Sequence, residues 1–359
     1  MDERTRRAKS YWRHKHIVTL SGLALSIAVL AAIQASGASA SLKAFALSIS
    51  TNFYVSLLVY IAAFSIIVGL ATFPLDLYGG FIVETKFKLS NQTFPAWLID
   101  EVKGSAISFI FFAILIEALY AILNLFPGTW WLIAALFWIG LSLVLAKLFP
   151  LLIIPLFYKY KPLSRPELRG RALKLAAKFN IKVMDVFEID FSTKTKKSNA
   201  AIVGWGAGRR IILADNLVNE FTDDETVAVL AHEMAHHRLK HIWILLSVSA
   251  ASIVIFFYIL QRAAAGLTDI SLFPTLYIYF IVYGAVMMPL QNAISRWLER
   301  DADTMALRMT GSREAFISLM EKLGLKNLSD ENPDRIIELV FYSHPPISKR
   351  IALARSIAL

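Results

Sequence analysis

Two histidines four residues apart, with a glutamate beside the first, form the most specific chemical pattern in the chain: His232-Glu233-Met234-Ala235-His236. On a helix, positions i and i+4 share a face one turn apart, so both imidazoles can reach one Zn²⁺, and Glu233 is placed to take a proton from water. With 7 histidines in the chain, independent placement would produce this pattern in about 0.5% of such sequences. A merely polar helix face, with His237 and His241 as neighbours at a membrane surface, is therefore the weaker reading. The chain has no cysteine, which excludes thiolate zinc sites, iron–sulfur clusters, disulfides and a cysteine nucleophile. A catalytic zinc keeps three protein ligands and an open position, so the third ligand must come from another imidazole or a carboxylate.

The elements that must position these groups can be read from local patterns. Thr222-Asp223-Asp224-Glu225 is a capping box with a negative first turn, so the helix carrying the histidines starts there. Upstream, residues 162–179 read as an amphipathic helix and 183–189 as a short strand. Residues 200–203 and 210–213 flank a glycine-rich loop and read as a β-hairpin. From His236 to Leu260 a helix would climb roughly 36 Å, and from Leu272 to Glu299 another would return roughly 40 Å. Glu299 thus comes back to the level of the histidines as a third ligand. Asp303, one turn further on the same face, can accept a hydrogen bond from a ligand imidazole, whereas Asp301 faces away. Taken alone, the acidic cluster could equally be a solvated face pairing with Arg296 and Arg300. His344, in Ser343-His344-Pro345-Pro346, either sits incidentally at a helix start or donates to an oxyanion; residue patterns do not choose.

At the scale of the chain, 57% of the 359 residues are hydrophobic and 18% charged, with 37 Lys and Arg against 27 Asp and Glu, for a net charge of +10. This excludes an ordinary soluble domain. Six apolar stretches are long enough to cross a bilayer as helices. They lie in 17–42 (apolar heart 17–33), 53–75, 105–126, 130–157, 242–260 and 272–290. All but three of the 37 basic residues fall on the side of the N-terminus, the exceptions being Lys43, Lys147 and Arg262. By the positive-inside rule both termini are cytoplasmic, and a nucleic-acid partner loses its support. Ala38-Ser39-Ala40 resembles a signal peptidase site, but an apolar heart of about 17 residues favours an uncleaved anchor. The expected architecture is mainly α: a multi-pass membrane protein with a cytoplasmic zinc protease part that contains a small β-hairpin or sheet. Its expected segments are 1–157 with four spans, 158–241 with the hairpin and HExxH helix, 242–291 as a transmembrane helical hairpin, and 292–359 with the third ligand.

The HEMAH segment, the Glu299 to Asp303 stretch as ExxAD, Ser198-Asn199-Ala200 and SHPPISKR near the C-terminus together resemble the CAAX prenyl protease 1 family, integral-membrane zinc endopeptidases of the gluzincin type. The likeness extends over most of the chain, including residues 77–93 (LYGGFIVETKFKLSNQT) and 154–157. The resemblance implies one Zn²⁺ held by His232, His236 and Glu299, Glu233 as general base, Asp303 behind the ligands, and His344 on the tetrahedral intermediate. It further implies substrate contacts at Asn199 and the following strand, and at Arg350 unless that residue supports the site. Family members enclose a water-filled chamber among seven helices, one more than the six spans counted here. Lys88 and Ser90 stand where the family usually has Gly and Asn. Glu117 and Lys147, costly in lipid, are expected to face such a chamber or each other. The expected substrates are peptides or membrane proteins, lipid-bearing ones among them, cut at the cytoplasmic face of a bacterial inner membrane. A quality-control protease of the same clan is the alternative, with a non-catalytic transporter or scaffold behind it.

Overall fold

A computed structural model of the chain describes residues 3–204 and 206–358; Trp205, in the expected glycine-rich loop, lies outside them. The first helix, α1 (Glu3–Ala35), is 33 residues long because its first half is charged and only the stretch beyond it is apolar. Gly37 then takes a left-handed conformation (φ 76°) and turns the chain into α2 (Ala38–Ile49). The charge-free run to Leu42 is therefore not one span. At 12 residues, α2 is about 18 Å long and too short to cross a core of about 30 Å. Ser39, in its first turn, is buried and donates to the carbonyl of Ser271 while accepting from Tyr60.

Asn52 caps α3 (Phe53–Leu77) by accepting from the amides of Tyr54 and Val55. The helix passes through a π turn at Tyr78–Ile82 into α4 (Val83–Lys86). Gly79 is needed in that turn, since a Cβ there would lie 2.8 Å from the side chain of Val18 on α1. The close approach lets Lys15 donate to the Gly79 carbonyl and pair with Glu84, which also binds Tyr11. Thr93 caps α5 (Phe94–Leu125), followed by α6 (Trp130–Leu152) and α7 (Ile154–Phe157). With the later α11 (His241–Ala263) and the helix through Ile270–Thr310, six helices among the described residues are long and apolar enough to cross a membrane. Leu70, Leu125 and Val286 are each about two-thirds exposed or more, as side chains facing lipid would be. Glu117 and Lys147 form no ion pair with each other among the described residues; Lys147 is exposed, and Glu117 leaves Oε2 buried without a partner.

The remaining chain builds a compact lobe on one end of this bundle. A short strand that the sequence reading missed, β1 (Tyr160–Pro162), leads to α8 (Pro166–Lys178) and β2 (Asp185–Ile189). The expected hairpin forms from β3 (Ala200–Val203) and β4 (Arg210–Ala214), with Ala200 opposite Leu213 and Val203 opposite Arg210. The sheet order is β1-β2-β4-β3, with β2 and β4 parallel. Hence β3 is an edge. The short α9 (Asp215–Glu220) precedes α10 (Asp223–Arg238), whose capping box is formed as expected. After α11 the chain turns into α12 (Phe273–Thr310), 38 residues long and continuous through Pro289, then α13 (Arg313–Lys326), α14 (Arg335–Phe341) and α15 (Ile347–Ser356). The sheet, α8, α10, α13 and the lower part of α12 share one apolar core around Leu168, Ile211, Leu230, Met234, Ala306 and Leu319.

Candidate active site

The capped α10 presents His232 and His236 on one face, with their Nε2 atoms 3.1 Å apart. The lower part of α12 crosses that face and inserts Glu299, which is 6% exposed. Its Oε2 lies 3.2 Å from His232 Nε2 and its Oε1 3.3 Å from His236 Nε2. Each residue thus offers one atom, all within 4.8 Å of one another. Tetrahedral zinc with bonds of about 2.0–2.1 Å keeps its donors about 3.3–3.4 Å apart; the two imidazole nitrogens are near that separation, and each faces a different oxygen of Glu299 at a similar distance. Among the described residues, Glu299 Oε2 is buried with no hydrogen-bond partner. Burial alone would lower the His232 pKa, but the carboxylates of Asp303 and Glu299 outweigh it and hold the imidazole well above its ordinary value. Two buried carboxylates thus favour positive charge between them, and a divalent cation on this N,N,O set fits that electrostatic demand.

Behind the three donors, Asp303 is fully buried and accepts from His232 Nδ1 at 2.8 Å. Arg350, from α15, grips Asp303 with both Nε (2.7 Å) and Nη2 (2.6 Å). Arg350 also lines the cleft, so it reaches both the cleft and the carboxylate behind the donors. His344, on the turn between α14 and α15, comes within 3.3 Å of Glu299 Oε1 and shares a hydrogen bond with Ser343. Its side chain is 59% exposed and lines the cleft.

Glu233 sits on the cleft side of the donors, and burial raises its carboxyl above the usual range against the pull of His232 and His236. The cleft has a volume of about 350 Å³ and is lined by Glu233, Asn199 and His344, with Leu217, Val229 and Met320 forming apolar wall. Asn199 stands at the entry to β3; its side chain accepts from the Ala200 amide and its carbonyl from Ala214. Ala200, the first residue of the edge strand β3, lines the same cleft. All eight expected residues are therefore gathered around one site. A ninth, His241, was read only as a neighbour at the membrane surface. It is buried, with Nδ1 2.9 Å from His236 Nδ1. Spacing could not reveal it, because on an unbroken helix a residue five positions on lies about 140° round the axis.

Comparison with known proteins adds independent information. Residues 162–358 match the family described as Peptidase family M48, and residues 1–159 match the CAAX prenyl protease N-terminal domain, described as having five membrane helices. Four of the six long helices and the short α2 fall in that second range. The chain is 30% identical to the uncharacterized metalloprotease YhfN of Bacillus subtilis, over 96% of this chain and 84% of the relative. It is 33% identical to the CAAX prenyl protease 1 homolog of Arabidopsis thaliana, over 77% of this chain and 68% of that one. The crystal structure of S. mikatae Ste24p superposes with a TM-score of 0.85 at 24% identity, covering 99% of this chain and 89% of the other.

Proposed function

The chain belongs to peptidase family M48 and carries the CAAX prenyl protease N-terminal membrane domain, and from that premise we propose that His232, His236 and Glu299 hold a catalytic zinc while Glu233 acts as general base. The protein is a multi-pass membrane metalloprotease. The observation that carries the proposed roles is the convergence of one donor atom each from His232, His236 and Glu299, all within 4.8 Å of one another, beside Glu233 at the wall of a cleft that the start of edge strand β3 also lines.

Zinc at this position would supply Lewis-acid polarisation of the scissile carbonyl and make water easier to deprotonate. The protein's own groups divide the remaining work. An extended peptide pairs with the outer edge of β3, next to Asn199, which holds its backbone in register. Glu233, whose raised pKa brings it closer to that of an effective base near neutrality, takes the proton of the attacking water and passes it to the departing amine. His344 faces the cleft and donates to the oxygen that gains charge as the carbonyl becomes tetrahedral. Asp303 fixes the tautomer of His232, and Arg350 fixes Asp303.

The substrate class follows from where the cleft lies. Trp12 of α1 lines it, and the N-terminal helix donates from Trp12 to the carbonyl of Leu328, so the cleft and the N-terminus share one side of the bundle. Together with the distribution of basic residues, this supports a cytoplasmic site with both termini on that side; likeness to a Bacillus subtilis relative supports a bacterial cell membrane as its home. Relatives bear the name CAAX prenyl protease 1; by that likeness the substrates are peptides or membrane proteins with a lipid-bearing C-terminal segment. The test is cleavage of quenched peptides, with and without a prenyl group, by purified wild type and Glu233→Gln. Loss of a general base should cut the rate about 10²–10⁴-fold while zinc remains bound. Equal cleavage by both proteins would overturn the role of Glu233, and indifference to the prenyl group would overturn the substrate class.

A further inference from the structure

His236 faces the converging donors with Nε2, which lies 3.1 Å from His232 Nε2 and 3.3 Å from Glu299 Oε1. If that nitrogen is to offer its lone pair to a metal, the ring proton must be on Nδ1. A buried N–H needs an acceptor. Among the described residues, the group within hydrogen-bonding reach of that proton is His241 Nδ1, at 2.9 Å, with the two rings edge to face at 5.0 Å. His241 is 3% exposed.

The backbone is shaped to bring it there. The helix that carries His236 ends at Arg238, and Lys240 adopts a left-handed conformation (φ 57°) before α11 begins at His241 itself. A side chain with a Cβ is disfavoured in that region. Without the break, His241 would point away from His236; with it, the first residue of a membrane helix folds back onto the site.

We infer that His241 is a positioning residue: its Nδ1 accepts the proton of His236 Nδ1–H and so fixes the tautomer and ring orientation of a metal ligand. The inference rests on the reading of His232, His236 and Glu299 as zinc ligands. It gives the site two different supports, since His232 leans on a carboxylate, Asp303, and His236 on a neutral imidazole at the head of a transmembrane helix. Asp303 is anchored by Arg350 within the lobe; His241 anchors its partner to the bilayer.

The experiment compares the full-length wild type with His241→Asn and His241→Phe in detergent, following zinc content and the rate of zinc release to a chromogenic chelator. Asparagine is smaller than histidine but places a carbonyl oxygen where Nδ1 stood, whereas phenylalanine fills the space and accepts nothing. Removal of such an outer partner typically weakens metal affinity about 10–100-fold, so His241→Phe should release zinc about 10–100-fold faster while His241→Asn stays within a few-fold of wild type. A purely space-filling role predicts the opposite order. Wild-type release by His241→Phe, or loss of equal size in both variants, overturns the inference while leaving the zinc site itself intact. Wild type that binds no zinc overturns the ligand reading and the inference with it.

Discussion

Glu299 and Asp301 are both acidic and only two residues apart on α12, yet helix geometry puts them about 200° apart around the axis. Only Glu299 is turned among the imidazoles, where it is 6% exposed. Glu299→Ala should therefore abolish stoichiometric zinc in elemental analysis of purified protein, and Asp301→Ala should retain it; equal retention would remove Glu299 from the ligand set. At this scale the histidine pair, Glu233, Glu299 and Asp303 were legible, since each stands one helical turn from a partner or at a depth set by helix length. Arg350 was legible as a site residue but not as the partner of Asp303. The two are 47 positions apart, and no local periodicity connects them. His241 was visible only once the turn at Lys240 was known.

Elements hold the site through contacts that local sequence announces only in part. The capping box at the head of α10 reads directly from Thr222 and Glu225. What it cannot reveal is that Glu225 also reaches α13, accepting from Ser318 at 2.5 Å and Lys322 at 2.7 Å. Burial by itself raises the Glu225 pKa, but Lys322, Ser318 and the Thr222 amide outweigh it and hold the carboxylate below the usual glutamate range. A depressed folded-state pKa stabilises the fold above the unfolded value, and that stability disappears as pH falls through the folded one. Glu225→Gln should thus destabilise the lobe by about 1–3 kcal/mol near neutrality, and its Tm should approach that of wild type as pH falls below the usual glutamate range. A constant Tm difference across that window would show that charge plays no part. The hairpin of β3 and β4 followed from its turn residues, whereas β1 escaped notice because three residues carry too little pattern.

The whole molecule joins a bundle and a lobe through the N-terminal end of α1. Tyr11 and Lys15 bind Glu84 on α4, which also pairs with Lys197, two residues before Asn199. Arg7 donates to the Phe87 carbonyl. The membrane domain is thereby tied to the strand that borders the cleft. Orientation in the bilayer is a property at this scale too, and the chain's lack of cysteine makes it directly measurable. In intact cells, Ser48→Cys on α2 should react with an impermeant thiol reagent from outside, while Ser356→Cys should react only after the cells are opened. The reverse pattern would invert the topology and move the cleft to the opposite face.

The sequence by itself determined the class of chemistry, the six spans and the side on which basic residues collect. Hydrophobic length, charge sorting and helical spacing are local quantities that need no folded partner. It did not determine that the first apolar run breaks at Gly37, that Glu117 and Lys147 stay apart, or that Arg350 grips Asp303 and His241 meets His236. Those depend on backbone turns and on contacts between distant segments, whose energies are decided only when the helices pack. The tertiary structure therefore added what surrounds and orients the proposed ligands rather than the ligands themselves.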